Sequence, residues 1–197
     1  MNKNILDVYD ANNIYTDKYI LGYLDNFYQK LFDEQRIESI LEIGIHRGES
    51  IRLWRCYFDN DVDVHGVDIK ECKPIPNTYL YQDNAYSENF ASKFKDNYLD
   101  LVIDDGPHTY ESWINLIDLF YDKISYGGSL VIEDVILPMR NMGATREQIK
   151  DLITYAKEKG FIFVDEKLMM GLQKTEPMKK AWSEHLSILH FVKPKKQ

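Results

Sequence analysis

The segment Leu41–Gly48, LEIGIHRG, constrains this chain more than any other. A short apolar run meets a glycine, a second glycine follows four residues later, and helical spacing begins at Glu49. Strand, tight turn and helix in immediate succession open a β-α-β unit. The alternation continues along the chain. Strands are predicted at Ser39–Gly44, Val62–Asp68, Thr78–Gln82, Leu99–Asp104, Ser129–Glu133, Phe161–Asp165 and Leu186–Val192. Helices are predicted over Asp17–Phe32, Glu49–Tyr57, from about Tyr110 to Ile124, and over Thr145–Lys159, with Tyr126-Gly-Gly read as a turn and Gly160 as a helix stop. Helix-length segments between strands imply parallel pairing, whereas the last two strands lack such a segment, so the final one is expected to run antiparallel. The expected fold is α/β: a doubly wound, mostly parallel seven-stranded sheet. With no Pro/Gly/Ser-rich linker, 1–197 reads as one domain, an N-terminal helical cap (1–35) followed by the core (36–197).

A chain of 197 residues with 44% hydrophobic and 28% charged residues can bury a substantial core. Its net charge of −8 argues against a nucleic-acid or anionic-membrane partner, because phosphates demand clustered Lys and Arg. Cys56 and Cys72 form no zinc or redox spacing, the N-terminus lacks a signal-like apolar core, and no apolar run reaches membrane-spanning length. The expected setting is cytoplasmic.

In open α/β sheets ligands sit beyond the carboxyl ends of the strands. The dinucleotide fingerprint GxGxxG, started at Gly44, would require glycines where the chain has His46 and Glu49. What remains is Glu42-x-Gly44-x-x-x-Gly48. Gly44 lets the chain turn off the strand, and Gly48 would permit close approach of a nucleoside-bearing cofactor without phosphates. Asp68, closing the second strand, can accept hydrogen bonds from both ribose hydroxyls.

Taken together, YTDK (Tyr15–Lys18), LEIGIHRGESIRLW, HGVDI, VIDDGPH and VIEDV resemble the class I S-adenosylmethionine-dependent methyltransferases. Within that class they are similar to the metal-dependent sugar O-methyltransferases of macrolide biosynthesis. The resemblance covers roughly Tyr15–Val135 and implies a Rossmann-like methyltransferase fold. It implies cofactor contacts from Thr16, Lys18, Glu42, Gly44, His46, Gly48, Ser50, Asp68 and Ile69. Gln82, Asp83 and Asn84 would lie near the adenine, and Asp104 would face the cofactor or the loop backbone.

Strand four closes on Asp104-Asp105-Gly106-Pro107-His108 and strand five on Glu133-Asp134. Carboxylates converging on one sheet edge repel unless a cation joins them, and a hard divalent ion such as Mg²⁺ suits oxygen ligands. By resemblance the ligands are Asp105, Glu133 and Asp134. His108 is the candidate base for an acceptor hydroxyl, with Asp105 beside it as a catalytic group. Plainer readings stand alongside. Asp104 and Asp105 can form an Asx turn before Gly106, Asp134 can cap a following turn, and His108 can cap the helix near Tyr110. His65 reads as structural, and Trp54 and Trp113 as packing residues. Pro107, where the family often has a small polar residue, stiffens the turn before His108. Ile136–Gly143 is the lid candidate, with Gly143 as hinge and Arg140 reaching an anionic part of the acceptor. A second polar stretch, Lys167–Trp182, could border the acceptor.

The expected function is metal-assisted O-methylation of a sugar-like hydroxyl on a small-molecule or glycan acceptor, with a homo-oligomer allowed. The alternatives are a catalytically silent S-adenosylmethionine-binding module and a methyltransferase for a small phenolic acceptor.

Overall fold

The computed structural model describes residues 3–58, 60–135, 143–168, 174 and 187–196. Seven strands form one sheet in the order β3-β2-β1-β4-β5-β7-β6. They are β1 (Ser39–Ile43), β2 (Asp63–Asp68), β3 (Tyr79–Gln82), β4 (Leu99–Asp104), β5 (Ile124–Ile132), β6 (Ile162–Leu168) and β7 (Ser187–Val192). The first five pair in parallel, and β7 runs antiparallel between β5 and β6. This is the expected mixed α/β sheet. β1 is buried at every position, as a central strand covered on both faces must be.

One face carries the N-terminal elements and α4 (Glu49–Tyr57), with Trp54, Tyr28 and Phe32 interlocked at ring separations of 5.0–5.6 Å. The other face carries α5 (Glu88–Ala91), α6 (Tyr110–Phe120) and α7 (Arg146–Lys159), packed through Phe90, Trp113, Phe120 and Leu152. α7 starts with a Thr145–Gln148 capping box and ends at left-handed Gly160, the stop read from the sequence.

Three local expectations change. The continuous helix over Asp17–Phe32 is broken at Gly22 (φ 81°) into α2 (Asp17–Ile20), a π-helical turn (Leu24–Tyr28) and α3 (Gln29–Glu34). A further short helix, α1 (Ile5–Ala11), precedes it, capped by the Asn4 side chain. Tyr126-Gly-Gly is not a turn before β5 but an irregularity inside it. Gly127 adopts φ 85° and its N–H donates to the carbonyl of Lys193, just past β7, at 2.8 Å, while the Lys193 N–H returns to the Gly128 carbonyl at 2.9 Å and the β4 register shifts between Leu99 and Leu101.

His65 is structural, as expected. It lies on β2 with its ring stacked on Tyr79, and its nitrogens lie 3.3 Å from Tyr81 Oη and 3.0 Å from Tyr98 Oη. Burial lowers its pKa to about 4, and His190, beside Ser129 and Phe27, is lowered to about 4 for the same reason. Both rings are therefore neutral in the fold, while an unfolded histidine gains a proton below about pH 6.5. Their contribution is complete above that pH and is lost as pH falls from about 6.5 toward 4. Denaturant midpoints should drop across that window, and His65→Phe should flatten the drop; an unchanged slope would show that His65 does not drive it.

Candidate functional site

The strand ends bring the site together. Ile43, Asp104 and Ile132 lie in register across β1, β4 and β5, so the segments that follow open on one edge. Gly44 turns at φ 88° with the Asp105 carbonyl directly above it. A Cβ at Gly44 would lie 2.1 Å from that oxygen, so glycine here is set by the close approach of two loops. Asp68 at the end of β2 ties the same loop down. Its Oδ2 accepts from the His46 N–H at 2.8 Å and its Oδ1 from the Lys70 N–H at 2.9 Å. A carboxylate has about four acceptor positions, so two remain for a diol.

Two cavities flank this loop. The first, about 520 Å³, is lined by Gly44, Asp68, Ile69, Asp83, Asn84 and Tyr86 among others, with the exposed Ile69 side chain at its edge. The second, about 630 Å³ and more polar, is lined by Tyr15, Thr16, Asp17, Arg47, Glu49, Ser50, His108 and Asp134. Gly44, His46 and Asp105 border both. A ligand lying across Gly44 would therefore have one end in each chamber.

Beneath the second cavity lies the acidic cluster, and a lysine is at its centre. Lys18, which is 1% exposed, sits with Nζ 2.7 Å from Asp105 Oδ2 and 3.3 Å from Glu42 Oε1, and it also bonds Glu133. Glu42 further accepts from Trp54 Nε1 and Glu133 from the Tyr28 hydroxyl. The Tyr23 hydroxyl donates to Asp134. Burying an ion costs several kcal/mol, while opposite charges about 4 Å apart gain about 4 kcal/mol at an effective dielectric of about 20. One pair would not offset that cost for Lys18; three carboxylates do. Burial alone would lower the Lys18 pKa, but Asp105, Glu133 and Glu42 hold it well above the usual value. Burial raises Glu133, against the pull of Lys18. Burial and neighbouring Asp105 raise Asp134 to about 6.

Asp105, His108 and Asp134 each present a ligand atom within 4.8 Å of the others, the one such group among the described residues. His108 Nε2 is 3.8 Å from Asp105 Oδ1, and its Nδ1 is buried without a hydrogen-bond partner. Two carboxylates and an imidazole with one unsatisfied ring nitrogen form a donor set that fits a divalent ion. His46, His108 and Asp134 all adopt left-handed backbone, at φ 49°, 53° and 52°. Three such non-glycine residues around one point mark a site where the surroundings enforce strain.

The predicted residues separate by place. Thr16, Gly44, His46, Ser50, Asp68, Ile69, Asp83, Asn84 and Asp105 line the cavities. Lys18, Glu42, Gly48, Gln82 and Asp104 do not. Gly48 is required by φ 79° and by Cys72 and Ile75, each with an atom 2.8 Å from where a Cβ would sit. Gln82 is exposed, with Nε2 3.5 Å from the Ile69 carbonyl. Asp104 makes the Asx turn, accepting from the Gly106 N–H at 2.9 Å and from the Tyr86 hydroxyl at 2.9 Å, and its burial raises it to about 6. The cap of α6 is Thr109, in a capping box with Ser112, so His108 is free of that role. Glu133 faces Lys18 and Tyr28 and stands outside the converging trio. Trp113 is fully buried in the core. Residues 136–142 of the lid candidate, Arg140 among them, and all of 169–182 except Lys174 lie outside the described residues, while the Gly143 N–H donates to the His108 carbonyl at 2.6 Å.

Tyr23 and Tyr28 were missed from sequence. Their spacing of five is wrong for one face of an α-helix but right for a π-turn, which here aims both hydroxyls at the adjacent acids Asp134 and Glu133.

Sheet order and strand directions are those of the Rossmann-like methyltransferases, and the chain resembles the class I S-adenosylmethionine-dependent group that includes the macrolide-sugar O-methyltransferases. The methyltransferase domain family matches residues 41–135. An 8-demethyl-8-α-L-rhamnosyl tetracenomycin-C 2′-O-methyltransferase from Streptomyces olivaceus is 28% identical over 113 residues, which are 51% of this chain and 29% of that enzyme. The MycE methyltransferase of the mycinamycin biosynthetic pathway, solved with Mg, S-adenosylhomocysteine and mycinamycin VI, superposes with TM-score 0.69 at 18% identity, over 98% of this chain and 55% of MycE. A putative ribosomal RNA methyltransferase from Plasmodium falciparum gives TM-score 0.59 at 18% identity, over 92% of this chain and 97% of its own. At these identities the structures share the fold alone. The chain spans under a third of the tetracenomycin enzyme and just over half of MycE.

Proposed function

We propose that this chain is an S-adenosylmethionine-dependent, divalent-metal-assisted O-methyltransferase acting on a sugar-like hydroxyl. The observation that carries the reading is the convergence of Asp105, His108 and Asp134 at the wall of a polar cavity that meets the nucleoside-type cavity at Gly44. When bound, S-adenosylmethionine supplies an electrophilic methyl group, and a divalent ion supplies positive charge that favours loss of the acceptor's proton. Asp68 holds the ribose hydroxyls with its remaining acceptor positions, and Ile69, Asp83 and Asn84 border the base. Asp105 and Asp134 would hold the ion. His108 takes the acceptor proton at Nε2, the nitrogen nearest Asp105. The lining of Asp17, Arg47, Glu49 and Thr16 suits a hydroxyl-rich acceptor better than a flat phenol.

A silent cofactor-binding module is the second reading. Lys18 favours it to a degree, because it gives Glu42, Asp105 and Glu133 a structural reason to coexist without a metal.

Methyl transfer from labelled S-adenosylmethionine to a panel of glycosides separates the two. The enzyme reading expects product that disappears with EDTA and returns with Mg²⁺ or Mn²⁺. Chelator-resistant turnover would refute the metal role, and cofactor binding without metal binding would favour the silent module. Among the described residues no helix is long and apolar enough to cross a membrane.

A further inference from the structure

We propose that Lys18 is a positioning residue, a resident cation that commits Glu133 to the protein interior and leaves a divalent ion to meet Asp105 and Asp134. This rests on the metal-assisted reading above. Four carboxylates, Glu42, Asp105, Glu133 and Asp134, gather around Lys18 and the polar cavity, and they are not equivalent. Glu133 is 1% exposed, and its two oxygens are taken separately, Oε2 by Lys18 and Oε1 by the Tyr28 hydroxyl. Glu42 is fully buried between Lys18 and Trp54. Asp105 is shared: Oδ2 faces Lys18 at 2.7 Å and Oδ1 faces His108 at 3.8 Å. Asp134 stands apart from the lysine, held by Tyr23 at the wall of the polar cavity. The ammonium thus divides the cluster into an interior pair, Glu42 and Glu133, and an outward pair, Asp105 and Asp134. Asp105 is the hinge between the halves.

The division depends on the N-terminal segment. α2 delivers Lys18, and the π-turn delivers Tyr23 and Tyr28 to neighbouring acids. A uniform α-helix would separate residues five apart by well over a full turn and could not aim both hydroxyls at consecutive positions. Two consequences follow from like-charge and unlike-charge effects. An ion near Asp105 feels the Lys18 charge as repulsion, so removing that charge should tighten the ion's binding. Removing the Glu133 charge should loosen the ion too, but by less than the loss of a ligand, since Glu133 is bonded to Lys18 and Tyr28 and acts on the ion only at a distance.

Calorimetric titration of Mn²⁺ into the whole chain at pH 8 tests this, with folding of each variant checked by circular dichroism. Glu133→Gln should bind Mn²⁺ within tenfold of the unsubstituted chain, whereas Asp134→Asn should lose it. Lys18→Met should bind at least tenfold tighter, an outcome that general loosening of the fold would not produce. Weakening of more than tenfold in Glu133→Gln would make Glu133 a ligand and overturn the proposal, and this arm decides even where Lys18→Met does not fold. A folded Lys18→Met that binds no tighter would overturn it as well. Absence of Mn²⁺ binding by the unsubstituted chain would instead remove the metal-assisted reading, and this inference with it.

Discussion

Asp105→Asn is expected to reduce methyl transfer at least a hundredfold while leaving S-adenosylmethionine affinity within about tenfold of normal. Asp105 is the one acid that borders both cavities, touches Lys18 and approaches His108. The amide keeps its volume and its place above Gly44 but removes the charge that would hold a divalent ion. The fold should survive, because Lys18 keeps Glu42 and Glu133 as partners. The cofactor side should be largely indifferent, since the residues proposed to hold it, Asp68, Ile69, Asp83 and Asn84, lie along other strand ends. Paired calorimetric titrations with S-adenosylmethionine and Mn²⁺ separate the two effects. Loss of both bindings together would mean that the substitution collapses the loop rather than emptying a metal site.

Lys18→Met carries the second large expectation, on stability. Truncating one partner of a buried charged network typically costs 3–5 kcal/mol, and for a chain of this length that corresponds to a melting temperature lower by roughly 10 °C. The cost arises from Glu42 and Glu133, which would be left in the interior without a counter-charge, hydrogen-bonded only by Trp54 and Ser50 at Glu42 and by Tyr28 at Glu133. Its sign with pH is definite. Buried carboxylates without a counter-charge escape by taking up protons, so the fold binds more protons than the unfolded chain over the range between the two pKa values. The loss should therefore grow as pH rises from 5 to 8. Adding Glu133→Gln to Lys18→Met removes one of the stranded charges and should recover part of the difference. Thermal melts of the two variants at both pH values check this. A Lys18→Met melting temperature within about 2 °C of the unsubstituted chain would show that the lysine contributes little to holding the cluster.

Much of the fold was legible because its signals are local. Gly44 follows an apolar run, Asp104 ends β4, Glu133 follows β5 directly, and Gly160 closes a helix with a clear capping box at its start. The lack of a helical pattern in the sequence between the last two strands pointed to their antiparallel pairing. What the sequence hid was long-range. Lys18 lies 115 positions from Glu133, and nothing in YTDK shows that its ammonium reaches the far strand ends. Converging acids imply a cation, for which a divalent ion is the natural choice from sequence, whereas a buried lysine at such a distance leaves no local trace. The Gly22 break misled in the same way. Apolar spacing over Asp17–Phe32 suits a helix, and the π-turn that points Tyr23 and Tyr28 inward is a response to their tertiary partners. Glu42 is a further long-range case: an acid at the end of a cofactor strand invites a ligand role, and the fold buries it completely as a footing of Lys18.

The central claim is that the loop from Gly44 to Gly48, with Asp68, seats S-adenosylmethionine beside a metal-competent acidic site. The most direct test is a calorimetric titration of the chain with S-adenosylmethionine, without and with Mg²⁺. The account predicts one saturable site at micromolar to sub-millimolar concentration in both titrations, weakened by Asp68→Ala. No heat of binding at millimolar cofactor, in a chain shown to be folded, would contradict it.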